Sequence, residues 1–150
     1  MKKNRISIGS DHGGYLLKEE LKKYLSGLGY EVVDCGTDSK DISVDYPDYA
    51  KKACQQLQQE KVDYAIVVCT TGIGVSIVAN KMKGIRAALV TNLEQAKLTR
   101  MHNDANCLAL GAINQSLELA KEIAKTFIET PFSFEERHQR RVNKIKEIEG

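Results

Sequence analysis

Along this chain, short apolar runs alternate with stretches in which apolar residues recur every three or four positions. Ile6-Ser-Ile-Gly9 reads as a short strand that gives way to the polar turn Ser10-Asp-His-Gly-Gly14. Leu16, Leu17, Leu21, Tyr24, Leu25 and Leu28 then follow at helical spacing, leaving Lys18, Glu19, Glu20, Lys22 and Lys23 for the wet face. Gly27 and Gly29 bracket the helix end, and Glu31-Val-Val-Asp-Cys-Gly36 predicts a second strand before a polar loop that reaches Pro47. Tyr49, Ala50, Ala53, Cys54 and Leu57 predict the next helix, and the unbroken apolar run Tyr64-Ala-Ile-Val-Val-Cys69 predicts a third strand. Gly72-Ile-Gly74 turns into a helix carried by Val75, Ile77, Val78 and Met82. The cycle repeats with Arg86-Ala-Ala-Leu-Val90, a helix from about Leu93 to Met101, Cys107-Leu-Ala-Leu110 and a helix from Leu117 to Phe127.

Strands separated by helix-length connections pair in parallel, because right-handed crossovers lay helices over both sheet faces. The expectation is a single three-layer α/β/α domain spanning 1–150. Pro131 breaks the last core helix from a charged tail that begins near Phe134 and carries Arg137, His138, Arg140, Arg141, Lys144 and Lys146. Val142, Ile145 and Ile148 give that tail only a narrow apolar stripe, so residues 131–150 are expected to pack against a partner subunit.

Composition narrows the function classes. With 150 residues, 42% hydrophobic and 28% charged, the chain is an ordinary globular domain rather than a disordered one. A net charge of +2 supplies no general field for nucleic acid, and Glu135, Glu136, Glu147 and Glu149 interrupt the basic tail. No apolar run approaches bilayer length, and Met1-Lys2-Lys3 leads straight into the first strand, so a cytoplasmic protein is expected. The four cysteines are widely spaced and form no C-x-x-C, which fits free thiols in a reducing compartment.

Ligands of open parallel sheets sit beyond the carboxyl ends of the strands. Asp11-His12-Gly13-Gly14, Cys69-Thr-Thr-Gly-Ile-Gly74 and His102-Asn-Asp104 are expected to converge on that rim, the last from a neighbouring subunit or through a return loop, because it ends a helix. Cys69 closes a very apolar strand before a glycine turn, where a thiolate can take a carbon-bound proton; a small core cysteine occupies the same spacing. Thr71 can meet a developing enediolate oxygen, with Gly72 and Gly74 keeping the backbone accessible. Asp11 and His12 can handle a hydroxyl proton and an anion, or form a helix cap and a surface histidine. Arg137 and Arg141 lie one helical turn apart, a spacing that suits clamping a phosphate as well as a solvated tail. Gly72-Ile-Gly74 lacks the rest of a dinucleotide fingerprint, no Walker A sequence is present, and the three histidines form no metal signature.

Taken together, Gly9-Ser-Asp-His-Gly-Gly14, Asp45-Tyr-Pro47, Cys69-Thr-Thr-Gly-Ile-Gly74, Ala79-Asn-Lys81, Gly84-Ile-Arg-Ala87, Arg100-Met-His-Asn-Asp104 and Arg137-His-Gln-x-Arg141 resemble the ribose-5-phosphate isomerase B and galactose-6-phosphate isomerase family over nearly the whole chain. The resemblance implies a Rossmann-like five-stranded parallel sheet in the order 2-1-3-5-4 with a C-terminal helical tail. It further implies homodimers that can pair into tetramers, active sites shared across the dimer, and aldose–ketose conversion of a sugar phosphate without metal or organic cofactor. Cys69 would move the proton between C2 and C1, His102 would help open the sugar ring, and Asp11 would assist at ring oxygens or hydroxyls. The amides of Thr70, Thr71, Gly72, Ile73 and Gly74 and the Thr71 hydroxyl would stabilise the enediolate, Asn103 would contact substrate, and His12, Arg137 and Arg141 would hold phosphate.

Three departures bear on the substrate. Thr70 stands where the family carries glycine, Ile113 where the ribose branch carries a phosphate-contacting arginine, and Glu135-Glu136 where it carries Gly-Gly. Fewer cations and added carboxylates weaken phosphate attraction unless the acids face solvent or Arg86, Arg100 or Arg140 compensates. A six-carbon substrate such as allose 6-phosphate or galactose 6-phosphate, and a noncatalytic sugar-phosphate sensor, are the alternatives.

Overall fold

The computed structural model describes residues 5–150; Met1, Lys2 and Lys3, read above as the approach to the first strand, lie outside the described residues. The five strands are β1 (Arg5–Ser10), β2 (Glu31–Asp34), β3 (Tyr64–Cys69), β4 (Ala87–Leu89) and β5 (Cys107–Gly111). The helices are α1 (Tyr15–Gly27), α2 (Tyr46–Gln58), α3 (Ile73–Asn80), α4 (Leu93–Asn103), α5 (Leu117–Glu129) and α6 (Glu136–Glu149). All strand pairs are parallel and the order is β2-β1-β3-β5-β4, the order that the family resemblance implies.

The period-two alternation of the central strands separates two cores. Ile6, Ile8, Ile66, Val68, Leu108 and Leu110 turn to one face and pack with Leu21 and Leu25 of α1 and Ile123 and Phe127 of α5. Ala65, Val67, Cys69, Cys107 and Ala109 turn to the other and meet Ala50, Ala53 and Cys54 of α2 and Val75 and Ala79 of α3. Alanines on both sides of this second interface let the helices lie close to the sheet. The alternation thus aims the Cys69 side chain toward the start of α3.

Element ends differ from the sequence reading in ways with physical causes. Helix α2 begins at Tyr46 rather than Tyr49, because Pro47 lies in its first turn, where a missing N–H costs nothing. β2 ends at Asp34, although Cys35 N–H still donates to Ile8 O and Thr37 N–H to Ser10 O. The tail forms α6, and part of its stripe is covered by its own chain: Val142 and His138 are buried as α6 packs on α4. Ile145 and Ile148 remain exposed.

Lys18 is the unexpected core residue, only 1% exposed though read as part of the wet face. Its ammonium bonds both oxygens of Asp34, at 2.9 and 2.8 Å, and Lys22 reaches the same carboxylate at 2.9 Å. This ties α1 to the edge strand β2. Desolvation raises the Asp34 carboxyl, but the hydrogen bonds from Lys18, Lys22 and the Gly36 N–H outweigh it and hold the group below the ordinary carboxylate range. Its stabilising contribution is therefore complete above the ordinary carboxylate pKa of about 4 and fades as pH falls through the lower, folded value. Asp34→Ala leaves the buried Lys18 ammonium without its hydrogen-bonded partner and with only Glu19, 3.9 Å away, and a loss of about 3 kcal/mol is expected in a urea titration at pH 7, shrinking toward acid pH.

Candidate active site

At the carboxyl ends of β1 and β3, two loops come together. Asp11, nearly buried, caps the 3₁₀ turn His12–Gly14 by accepting the Gly14 N–H at Oδ1, 3.1 Å away. The His12 ring is held by the Val44 N–H, which donates to Nδ1 at 3.2 Å. With Nδ1 accepting, the proton of the neutral ring sits on Nε2, which is then free to donate to an anion.

Cys69, 6% exposed, ends β3 with its sulfur at the foot of α3. The Gly72 N–H donates to Sγ at 3.2 Å. Gly72 is left-handed, with φ +79°, and a Cβ there would strike Leu89 and the β5 backbone. Thr71 Oγ1 accepts the Ile73 N–H at 3.2 Å, which leaves its O–H free to donate. The Gly72 and Ile73 amides are thus engaged inside the loop, while the Gly74 amide lies in the first turn of α3, where no intrahelical acceptor exists. Thr70, the residue that departs from the family pattern, rests against Gly13: its hydroxyl fills the space that a Cβ at 13 would need. The Tyr46 ring covers Gly74 in the same way, which gives a place to a residue that the sequence reading quoted in Asp45-Tyr-Pro47 without a role.

The third segment does not reach this rim. Helix α4 runs back from the end of β4 toward the start of β5, so His102 and Asn103 lie at the opposite end of the sheet, about 13 Å away along β5 alone. No return loop carries them back. They meet α6 instead: the His102 and His138 rings stack with centroids 4.3 Å apart. His138 is 4% exposed, with Nδ1 2.6 Å from Ser133 Oγ. Burial and the neighbouring Arg137 guanidinium lower its pKa from the ordinary imidazole value, against the opposing pull of the Glu135 carboxylate. The charge-rich surroundings of His138 in the sequence concealed this buried role.

Arg137 and Arg141 belong to this second cluster, and Glu135 forms an ion pair with the Arg137 guanidinium. Of the two departing acids, Glu135 thus pairs with Arg137 at an exposed position, and Glu136 is exposed as well. Arg100 does not compensate, since it is buried with Nε on Thr130 O and Nη1 on Asp104 and Ala105 O. Arg86 is likewise committed, to the Asn103 and Asp104 carbonyls at the end of α4. Together these two arginines anchor the segment that presents His102.

A family profile described as Ribose/Galactose Isomerase matches residues 6–145. A Bacillus subtilis protein described as a putative sugar phosphate isomerase is 46% identical over 97% of each chain. Escherichia coli ribose-5-phosphate isomerase B is 43% identical over 97% of this chain and 96% of its own. A solved structure of Clostridium thermocellum ribose-5-phosphate isomerase B superposes with a TM-score of 0.93 at 50% identity, covering 97% of both chains. Among the described residues no helix is long and apolar enough to cross a membrane.

Proposed function

The chain belongs to the ribose/galactose isomerase family and is a sugar-phosphate isomerase, and from that premise we propose that it interconverts ribose 5-phosphate and ribulose 5-phosphate through an enediolate, with Cys69 as the base. The observation that carries this reading is the Cys69 sulfur facing the Gly72 N–H at 3.2 Å, at the strand end shared with Asp11 and His12. A backbone donor aimed at the sulfur holds it in one place at the strand end.

In the proposed reaction the Cys69 thiolate takes the proton from C2 of the open aldose, and the electron pair moves to the C1 oxygen. The resulting enediolate is met by the Thr71 hydroxyl and by the Gly74 amide at the start of α3. Asp11 helps move the hydroxyl proton between O2 and O1, and the Cys69 thiol, after exchanging with solvent, delivers a proton to C1 to give the ketose. His12 donates from Nε2 to the substrate's anionic end.

Ring opening and the phosphate clamp require His102, Asn103, Arg137 and Arg141, which stand at the far end of the same chain. The proposed site is therefore assembled by two copies, each supplying one cluster to the other, with 131–150 as interface and phosphate-binding tail. His138, buried beneath it, fixes the orientation of His102. Phosphate then displaces Glu135 from Arg137, so anion binding is an exchange at an occupied guanidinium.

The test is product formation followed by NMR in deuterated water. Ribulose 5-phosphate with deuterium at C1 is the expected outcome for ribose 5-phosphate. Faster conversion of allose 6-phosphate would move the substrate to a six-carbon sugar, and binding without exchange of either would replace the enzyme by a sensor.

A further inference from the structure

We propose that Asn114 is a positioning residue for Cys69, acting through the Thr71–Gly72 peptide. The loop after β5 extends the parallel ladder past the end of the strand. Ala112 N–H donates to Cys69 O at 2.9 Å, Ile113 N–H to Thr70 O at 3.1 Å, and Asn114 Nδ2 to Thr71 O at 2.9 Å. Three consecutive carbonyls are thus held by three consecutive residues. The first two donors are backbone and independent of residue type; the third is a side chain.

The peptide gripped by Asn114 is the one that serves the sulfur. In a trans peptide the carbonyl and N–H point in opposite directions. With its oxygen on Asn114, the Thr71–Gly72 unit therefore presents its N–H away from β5, onto Cys69 Sγ at 3.2 Å. The identity of the contacting atom follows from chemistry, since a carbonyl oxygen can only accept and the carboxamide must offer its NH₂. Gly111 makes the approach possible: a Cβ there would overlap both the Thr71 carbonyl and Asn114 Nδ2. The turn itself does not need the carboxamide, because it is closed by the Asn114 backbone N–H on Gly111 O at 3.1 Å. The side chain is spare for the contact it makes.

Without that donor the Thr71 carbonyl turns to water, the peptide is free to rotate, and the sulfur loses a fixed N–H. The charged and titratable groups on the adjoining segments are Asp11 and His12 after β1 and Asp45, Tyr46, Asp48 and Tyr49 at the start of α2; α3 and residues 112–116 carry none. All of these stay in place in a variant at 114, so a change in thiol behaviour reports the peptide.

The catalytic consequence rests on Cys69 being the base, but the positioning is measured without turnover. Iodoacetamide labelling of Cys69, read by peptide mass spectrometry across pH, is compared among the parent, Asn114→Ala, Asn114→Leu and Ile113→Ala. Asn114 is exposed, so neither substitution leaves a cavity, and thermal melts verify folding. Both Asn114 variants are expected to label about three- to tenfold more slowly at pH 7, with the labelling midpoint moved to higher pH. Ile113→Ala keeps its backbone bond and the parent midpoint. An unchanged midpoint in both Asn114 variants, or an equal shift in Ile113→Ala, overturns the proposal. Turnover is read separately: kcat falls in the Asn114 variants and recovers as pH rises, with KM little changed. If Cys69 is not the base, labelling still shifts while turnover does not.

Discussion

Cys69→Ser is expected to lower turnover about 10³-fold while the protein keeps its fold. Serine preserves the shape of the side chain, and the backbone that holds the loop does not depend on sulfur: Ala112 and Ile113 donate to the carbonyls of residues 69 and 70 in either protein. The hydroxyl, however, holds its proton far more tightly than a thiol does, so no base remains at neutral pH to take the proton from C2. Thermal unfolding and loss of deuterium incorporation at C1 are the paired readouts. Retention of more than a tenth of the parent rate, with the melt unchanged, would remove Cys69 from its assigned role.

Mixing two inactive chains should restore activity. One chain carries Cys69→Ser, and the other carries His102→Ala with Arg137→Ala; each lacks one of the clusters that α4 and the sheet hold at opposite ends. If each site draws its clusters from two copies related by a twofold axis, a mixed dimer contains one site with both defects and one with neither. Random exchange makes half the dimers mixed, so about a quarter of the parent activity is expected after the two are unfolded together and refolded. Refolding each alone should give only its own residual rate. A mixture no more active than its components would overturn the two-copy site.

The sheet was readable from sequence because its central strands are apolar on both faces. Tyr64-Ala-Ile-Val-Val-Cys69 and Cys107-Leu-Ala-Leu110 leave no wet side, and only a parallel sheet between helices buries such runs. The strand order is not in that pattern and came from the family resemblance. The Asp11 and Cys69 loops were readable for a related reason, since ligand sites follow strand ends. His102 was harder: a residue ending a crossover helix sits at the opposite edge of the sheet from one ending a strand, so the sequence reading could bring it to the rim only from a neighbouring subunit or through a return loop. Lys18 looked like a surface lysine because nothing local announces Asp34 on the neighbouring strand. Asn114 offered only the signature of a turn residue, and its partner is 43 residues earlier in the chain. Glu135 and His138 were lost in a tail whose charges mask one ion pair and one buried ring.

The two outer strands are the shortest of the five, Glu31–Asp34 on one side and Ala87–Leu89 on the other. One is flanked by carboxylates and fastened from behind by Lys18, and the other is entered through Arg86, whose guanidinium is spent on carbonyls at the end of α4. Such borders offer an incoming strand little ladder to extend and charges to bury in doing so. Crowding many copies of this protein together, as during rapid synthesis, consequently does not invite runaway sheet growth.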